Sequence, residues 1–273
     1  MAHMARTITL LSDYGLRDEF VGVVHAVIAG IAPTARVIDL SHGVPRQDVE
    51  AGARMLARSL PFAPAGVHVA VVDPDVGARR RAIALLTAEE ERLLVGPDNG
   101  LLLPAADRFG GVAEAVDVSA SPWRLQPVSA TFHGRDVFAP VAARLAAGEP
   151  LGDAGAPVEP DELVRIELTR ARVEAGGALV ARVVEIDGFG NLALDARLRD
   201  LKGTDIRLGD AIAVRRDTRR APGVFARTFA DVARGGLLLY EDAGGSLAVA
   251  VNGGDVAALL GTRRGDELRV ERA

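Results

Sequence analysis

The sequence predicts two domains, an α/β domain with a central, mainly parallel sheet and a smaller all-β domain after it. Apolar strands alternate with amphipathic helices as far as residue 147, whereas short apolar runs separated by turn residues fill the second half. Between them lies a stretch rich in Gly, Pro and acidic residues, residues 148–161, which is typical of a linker. With 273 residues and 49% hydrophobic content, the chain is long enough to form two cores.

The first half is predicted to alternate strands with helices. Apolar residues recur at helical spacing in the first helix, and Pro33 lies just beyond its end, as expected of a helix stop. This order indicates a sheet covered on both faces, whose ligand crevice lies outside the carboxyl ends of the strands. The predicted strands cover residues 7–11, 37–40, 67–72, 83–86 and 93–95, the last two as a hairpin, and the predicted helices cover residues 19–31, 48–60, 101–109 and 137–145.

The second half is predicted to contain short strands with turn residues between them, which favours a small β-barrel or a sandwich. One short helix is evident, over residues 256–260. We place the α/β domain at residues 5–157 and the all-β domain at residues 164–273. The predicted strands of the second domain cover residues 164–168, 179–186, 211–215, 237–240, 246–251 and 267–270.

Charge and composition exclude several classes of function. The net charge of −5 and the pI of about 5.6 argue against a nucleic-acid-binding surface. The absence of cysteine removes disulfides, thiol catalysis and thiolate metal sites, and it suits a cytoplasmic protein. No apolar run approaches the roughly 18 residues that span a bilayer, and no signal peptide is evident. We therefore expect no metal site and no membrane partner, and hydrolytic chemistry would depend on Asp, Arg and His.

Two carboxylates follow predicted strands, where a ligand is expected. Asp13 is either a helix cap or turn residue, or a carboxylate that accepts hydrogen bonds from a ribose diol. Asp73 ends the third strand, and its pairing with Pro74 also favours a turn. Arg80 follows in a run of arginines, which is either a solvated charge run or the source of one guanidinium that pairs with Asp73.

Among the histidines, His133 has the neighbours that are least typical of a residue with a purely structural role. It lies between Phe132 and Gly134, just before a predicted helix. An imidazole here, together with a carboxylate and a guanidinium at another strand end, can hold and polarise one water molecule. The residues alone therefore make Asp73, Arg80 and His133 a candidate catalytic set.

A second group of candidates lies in the predicted all-β domain. Asp187, Phe189 and Asn191 fall in one glycine-containing stretch, which is typical of a plain hairpin turn. The alternative is a purine site, because an asparagine amide can pair with a base edge and an aromatic ring offers a stacking face. Phe229 and Asn252 are the other candidates for such a pocket.

Four ordered motifs make the chain similar to a known enzyme family. They are Asp39-Leu40-Ser41-His42-Gly43-Val44-Pro45, Asp73-Pro74-Asp75-Val76-Gly77, Gly96-Pro97-Asp98-Asn99-Gly100 and Thr131-Phe132-His133-Gly134-Arg135-Asp136. With these motifs the chain resembles the S-adenosyl-L-methionine (SAM) hydroxide adenosyltransferases, relatives of the bacterial fluorinase and chlorinase. The resemblance covers nearly the whole chain. It implies an N-terminal α/β domain, a C-terminal β-barrel and homotrimers that bind SAM between neighbouring subunits.

The resemblance also implies a role for each candidate residue. By the resemblance, Asp73, Arg80 and His133 handle the water, and Asp13 binds the ribose diol. Asp187 contacts the amino-acid end of SAM. The adenine pocket contains Asn191, Phe229 and Asn252, with Phe189 nearby. Two positions depart from the family pattern. Asp75 replaces a usual glycine, which either adds a charge beside the site or points to solvent. Asp242-Ala243 replaces an Asn-Ser pair that often holds the methionine end.

The expected reaction is hydrolysis of SAM to adenosine and L-methionine, with SAM as the substrate and no cofactor. An activated water would attack the ribose 5′ carbon in line. Arg80 would polarise this water, Asp73 would orient it, and His133 would fix its position or accept its proton. Halogenating relatives carry a tyrosine where Asp73 stands, and a carboxylate there would repel a halide by roughly a few kcal/mol. The alternatives are a SAM-dependent halogenase and a non-catalytic protein that binds SAM or adenosine.

Overall fold

The computed structural model describes residues 7–273, which divide into two compact units. The first unit extends to Glu167 and the second covers Leu168–Ala273. Residues 1–6, which include the beginning of the predicted first domain, lie outside the described part of the chain. Within the described part, no helix is long and apolar enough to cross a membrane.

The first unit contains a seven-stranded mixed sheet. Its strands are β1 (Thr7–Ser12), β2 (Val37–Ser41), β3 (Gly66–Val71), β4 (Ala82–Thr87), β5 (Leu93–Pro97), β6 (Val112–Asp117) and β7 (Ala156–Pro157). The order is β2-β1-β3-β5-β4-β6-β7, with parallel pairs from β2 to β5 and antiparallel pairs from β5 to β7. The predicted α/β class is confirmed, and so is the hairpin, which is formed by β4 and β5.

Helices cover both faces of this sheet. They are α1 (Phe20–Ile31), α2 (Val49–Ser59), α3 (Leu103–Ala106) and α4 (Ala139–Ala147). The side chains of β3 and of the residue after it point in turn into two cores, because successive side chains of a strand point to opposite faces of the sheet. Val67, Val69 and Val71 pack in the core with α1 and α4, whereas Ala70 and Val72 pack in the core with α2 and α3. The carboxyl ends of β1 and β3 therefore emerge side by side from a sheet that is buried on both faces.

The second unit is a closed barrel of seven strands with a short eighth strand attached. Its strands are β8 (Arg172–Val173), β9 (Leu179–Ile186), β10 (Leu192–Leu194), β11 (Ala211–Arg216), β12 (Arg219–Phe225), β13 (Leu237–Glu241), β14 (Leu247–Val251) and β15 (Glu267–Arg272). The ring order is β10-β14-β13-β12-β11-β15-β9, and the antiparallel pair of β10 with β9 closes it. Closure identifies a barrel, because a sandwich would leave sheet edges open. The predicted short helix is confirmed as α5 (Val256–Leu260).

Two predictions about the end of the first unit are wrong. Residues 148–161 are not a linker, because β7 lies in this stretch and pairs with β6. Residues 164–168 form no strand. Instead, the amide of Val164 donates to Asp98 Oδ1 at 2.9 Å, and Ile166 packs so closely against Gly100 that a Cβ there would overlap it. The segment therefore completes the first unit.

Candidate active site

Asp73 and Arg80 form a buried ion pair at the carboxyl end of β3. Asp73 follows that strand closely, and Arg80 lies on the returning segment that leads into β4. The guanidinium Nε of Arg80 is 2.9 Å from Oδ1 and 3.1 Å from Oδ2 of Asp73, and Nη2 also donates to Oδ2. The arginine and aspartate side chains are only 8% and 5% exposed. A charge-assisted contact with several hydrogen bonds holds both groups in one orientation.

The turn between Asp73 and Arg80 requires a glycine at position 77. The φ angle of Gly77 is +79°, in the left-handed region that side chains disfavour. A Cβ at this position would also overlap the carbonyl oxygen of Ala130. Because Ala130 shortly precedes His133, this close approach brings the turn against the segment that carries the histidine.

His133 completes a hydrogen-bonded cluster of three side chains. Its Nδ1 lies 2.8 Å from Nη2 of Arg80. A guanidinium can only donate, so Nδ1 accepts, and the neutral imidazole carries its hydrogen on Nε2. Burial lowers the pKa of His133, and the positive charge of Arg80 lowers it further. The neutral imidazole is therefore the form favoured at neutral pH.

The segment around His133 is held by a buried carboxylate. The helix predicted over residues 137–145 begins earlier, as a π-helical turn over Gly134–Phe138 that leads into α4. Such turns are frequent at functional sites. Asp136 lies in this turn and accepts a hydrogen bond from the amide of Ser129 at 2.8 Å. This bond ties the preceding loop to the turn and fixes the position of His133.

Asp13 and Asp73 line one cleft of about 460 Å³, a volume typical of small-molecule sites. The cleft lies at the carboxyl ends of β1 and β3, and residues 42–47 also line it. Oδ2 of Asp13 accepts a hydrogen bond from the amide of Gln47 at 2.8 Å. No partner contacts Oδ1 among residues 7–273, so this oxygen is available to a ligand.

Tyr14 is a residue of this cleft that the sequence analysis missed. Its ring centroid is 5.9 Å from those of both Phe20 and Phe132, and the latter two rings are 5.1 Å apart. Tyr14 and Phe20 are close in the sequence, but Phe132 comes from a distant segment of the chain. No spacing pattern links them, so the sequence offers no indication of the cluster beyond their aromatic character.

A chain of polar side chains runs behind the cleft. Ser12 Oγ is 2.7 Å from Nδ1 of His42, whose Nε2 is 3.1 Å from Oδ1 of Asp39, and Nε2 of His25 contacts the same oxygen at 2.9 Å. These residue types resemble a nucleophilic triad, but Ser12 is 3% exposed and accepts a hydrogen bond from the amide of Tyr14 at 3.2 Å. Burial acts to raise the pKa of Asp39, but the two imidazoles outweigh it and hold this pKa below its usual value. We assign this hydrogen-bonded series of side chains a structural role.

Arg81 and Asp98 form a second ion pair in the first unit. Nε of Arg81 lies 2.8 Å from Oδ2 of Asp98, whose side chain is almost fully buried. The arginine run is therefore not a solvated charge run at this position. The neighbouring Asn99 donates to the carbonyl of Val72 at 2.8 Å, so this turn supports the end of β3.

In the second unit, Asp187 organises the turn between β9 and β10. Its Oδ1 accepts hydrogen bonds from the amides of Phe189 and Asn191 at 2.9 Å each, and its Oδ2 accepts one from Nδ2 of Asn191 at 2.8 Å. The predicted hairpin is confirmed, and most of the polar capacity of these two side chains is used inside it. The ring of Phe189 extends from the turn and is 80% exposed.

Phe229 and Asn252 meet in a second cluster of this unit. Nδ2 of Asn252 donates to the carbonyls of Phe229 and Val232 at 3.0 and 2.9 Å. The ring of Phe229 packs edge-on against Tyr240, at 5.2 Å between centroids. Burial raises the pKa of Tyr240, and the negative charges of Asp187 and Asp242 raise it further. Tyr240 is the second residue that the sequence analysis missed.

The structure thus brings Asp73, Arg80 and His133 into contact and places Asp13 in the same cleft. Asp187 joins Asn191 and, separately, Asn252 joins Phe229, whereas Phe189 stays in solvent within its unit. Across residues 7–273, no group of three or more histidine or acidic side chains is arranged to hold a metal ion.

Comparison with known proteins matches both halves of the chain to one family. Residues 8–155 match the family model for the N-terminal domain of the SAM hydroxide adenosyltransferases, and residues 181–269 match the model for their C-terminal domain. A solved structure from Thermotoga maritima, described as an uncharacterized conserved protein, superposes with a TM-score of 0.89 at 35% identity and covers 97% of this chain and 100% of its own.

Similar proteins include hydrolases and a halogenating enzyme. The chain is 52% identical over 265 residues to the (R)-S-adenosyl-L-methionine hydrolase of Salinispora tropica, covering 96% of this chain and 97% of the relative. It is 39% identical to the hydrolase of the same name from Thermus thermophilus, covering 97% and 99%. A fluorinase from an Actinoplanes species is 29% identical, covering 97% of each chain. The chain therefore belongs to the SAM hydroxide adenosyltransferase family.

Proposed function

We propose that this protein hydrolyses SAM to adenosine and L-methionine, with Asp73, Arg80 and His133 holding the water that attacks the ribose 5′ carbon. One observation carries the proposal. The three side chains form a continuous hydrogen-bonded cluster, and its Asp73, at the carboxyl end of β3, lines the same cleft as Asp13. The hydrolase relatives support the choice of substrate, and the acidic Asp73 disfavours a halide as the nucleophile.

The chemistry of SAM determines what the site must supply. The sulfonium leaves as the neutral thioether of methionine, so the leaving group needs no proton and no general acid. The difficulty lies in the nucleophile, because water is weakly nucleophilic at neutral pH. Holding it in line with the breaking bond, in a cleft that excludes other solvent, can supply on the order of 7–11 kcal/mol of the barrier.

Hydrogen-bonding capacity assigns a role to each member of the cluster. Arg80 directs Nε and Nη2 at Asp73 and His133, so its main task is to fix these two groups. His133 carries its hydrogen on Nε2 and can donate it to the water oxygen. Asp73 can accept a hydrogen bond from the same water and take the proton as the carbon–oxygen bond forms. A water held in this way points a remaining lone pair at the substrate.

The other candidates are proposed to bind the substrate. Oδ1 of Asp13, which has no partner within residues 7–273, suits a ribose hydroxyl donor. Oδ1 of Asn252, whose amide nitrogen donates to two carbonyls, suits the amino edge of adenine. Phe229 and Phe189 offer ring faces for the base. By the resemblance, Asp187 takes the amino-acid end of SAM, and Asn191 belongs to the adenine pocket.

Assembly and location complete the proposal. The resemblance implies a homotrimer that holds SAM at its subunit interfaces, and we propose that it acts in the cytoplasm without a cofactor. The absence of cysteine is in keeping with that compartment. Light scattering on the purified protein, with and without SAM, tests the trimer.

Product analysis tests the proposed function. Purified protein is incubated with each sulfonium epimer of SAM, because the hydrolase relatives are named for the R epimer. Parallel reactions contain chloride or fluoride. We expect adenosine and L-methionine in equal amounts, unchanged by either halide. A 5′-halo nucleoside would instead identify a halogenase, and tight binding without product would identify a binding protein.

A further inference from the structure

Tyr14 is fixed at the cleft through both its ring and its main chain. The ring is edge-on to Phe132 at an interplanar angle of 79° and tilted against Phe20 at 53°. The amide donates to Ser12 Oγ, which His42 holds from behind at 2.7 Å. The polar chain described above therefore anchors the residue whose side chain lines the cleft. The phenol is held rigidly enough to orient a second group.

The hydroxyl of Tyr14 occupies the space beside Gly134. A Cβ added at position 134 would overlap that hydroxyl oxygen and lie 3.1 Å from the ring carbon Cζ. Gly134 is not among the glycines with positive φ, so its backbone conformation is open to any residue. Glycine is therefore required at this position by the tyrosine hydroxyl and not by the backbone. Gly134 directly follows His133, so the hydroxyl lies beside the water-handling cluster.

The charges around the phenol keep it protonated. Burial raises the pKa of Tyr14, and the carboxylates of Asp13 and Asp73 raise it further, against an opposing effect of Arg80. Both carboxylates of the cleft and the guanidinium are therefore close enough to act on this hydroxyl. A neutral phenol can donate one hydrogen bond and can accept others.

We propose that Tyr14 is a water-positioning residue: its hydroxyl oxygen accepts a hydrogen bond from the second hydrogen of the water held by Asp73 and His133, which leaves a lone pair of that water for the 5′ carbon, and Gly134 is glycine in order to admit the hydroxyl. The inference rests on the proposed function and adds a fourth member to the site. The hydroxyl restricts the direction from which the water can approach the 5′ carbon, and it fills space that solvent would otherwise occupy. Its absence would leave the water bound but less well oriented.

The first test replaces only the hydroxyl. In Tyr14→Phe the ring and its contacts with Phe20 and Phe132 remain, so we expect KM for SAM and the melting temperature to stay close to those of the wild type. We expect kcat for adenosine release to fall by about tenfold to a hundredfold, the scale for loss of one preorganised hydrogen-bonding group. A purely structural tyrosine would lower the melting temperature without a selective loss of kcat, and that result would overturn the inference.

The second test uses the contact with Gly134. We expect Gly134→Ala to lower kcat sharply, because the new methyl group displaces the hydroxyl. In the Tyr14→Phe background the same alanine should cause a smaller additional loss, because it meets only ring carbons, at 3.1 and 3.4 Å. Gly30→Ala is the matched control, since a Cβ there meets nothing within 4 Å, and we expect wild-type kcat. Additive losses in the double variant would contradict the proposed contact.

The outcomes separate the inference from the function on which it rests. Wild-type protein and Asp73→Asn are assayed beside the tyrosine variants. If the wild type releases no adenosine, the proposed function fails and the inference fails with it. If the wild type is active, Asp73→Asn is impaired and Tyr14→Phe matches the wild type in kcat, only the inference is overturned.

Discussion

The candidate residues of the two units are held in different ways. In the first unit, Asp73 and His133 are joined through Arg80 although they lie on separate segments, and Arg80 and His133 are 53 positions apart. In the second unit, Asp187 and Asn191 are four positions apart and bond mainly to each other and to their own turn. The first arrangement depends on the tertiary fold, whereas the second is a local hairpin.

We propose that this difference separates residues that do chemistry from residues that shape a surface. The cluster of the first unit concentrates charge and directed hydrogen bonds on a cleft, so changes there should affect kcat. The second unit uses its polar groups to hold loops that present an aromatic ring or an amide oxygen. Changes there should affect KM and stability, and kcat much less.

The largest effect is expected from Asp73→Asn. The amide cannot take a proton from water and presents N–H groups to the donors of Arg80, so kcat should fall by about a hundredfold to ten-thousandfold while SAM still binds. Asp75→Asn is a matched control, because Asp75 is exposed and only two residues away. Adenosine release and SAM binding by calorimetry are the measurements. Equal losses of kcat in both variants would show that negative charge near the cleft matters for turnover and that the ion pair between Asp73 and Arg80 does not.

A strong dependence on pH is expected from His133. The pKa of His133 is lowered from the ordinary 6.5, so the imidazole is neutral at pH 7. It becomes protonated only as the pH falls towards the lowered pKa. Protonation removes the acceptor on Nδ1 that Arg80 contacts, so kcat should be flat above pH 6.5 and fall by about tenfold per pH unit below the lowered pKa. A kcat profile with and without His133→Gln measures this. An acidic limb that persists unchanged in the variant would assign the titration to another group.

A moderate effect on binding is expected from Asn252→Ala. The change removes the donor to the carbonyls of Phe229 and Val232, so the loop should shift and the free energy of unfolding should fall by about 1 kcal/mol. KM for SAM should rise by about tenfold, equivalent to about 1.4 kcal/mol, with kcat nearly unchanged. Steady-state kinetics and urea unfolding are the measurements. A large loss of kcat with unchanged KM would erase the distinction between the two units.

The smallest effect on stability is expected from Phe189→Ala. The ring is 80% exposed within its unit, so its removal should change the free energy of unfolding by no more than about 0.5 kcal/mol. KM for SAM should nevertheless rise, because we propose that the ring lies beside the adenine. Urea unfolding and steady-state kinetics on the same preparation test both statements. An unchanged KM would remove Phe189 from the substrate site.

Much of the fold follows from the sequence, because its signals are local. The apolar run of β3 and the turn at Asp187 are evident from neighbouring residues alone. Strand β12 was not predicted, since Arg219–Phe225 includes two arginines and a proline, which are uncommon in strands. The segment at 148–161 has the composition of a linker but gains a strand partner from β6, which only the tertiary fold supplies.

The candidate site was predictable where a residue type limits the chemistry. Asp73, Arg80 and His133 were identifiable because few side chains can handle water in a chain without cysteine. Tyr14 was not, because its importance comes from the space beside Gly134 and from a ring cluster assembled from separate segments. Side chains that act by shape leave little trace in a single sequence.

A single turnover in water enriched in heavy oxygen tests most directly whether solvent attacks the 5′ carbon itself. Enzyme in excess over SAM is quenched after one turnover, and the 5′-hydroxyl of adenosine and the peptide that contains Asp73 are analysed by mass spectrometry. Direct attack predicts label in the 5′-hydroxyl from the first turnover and none in Asp73. Unlabelled first-turnover adenosine with label in the Asp73 carboxylate would reveal a covalent ester and contradict the role we propose for the cluster.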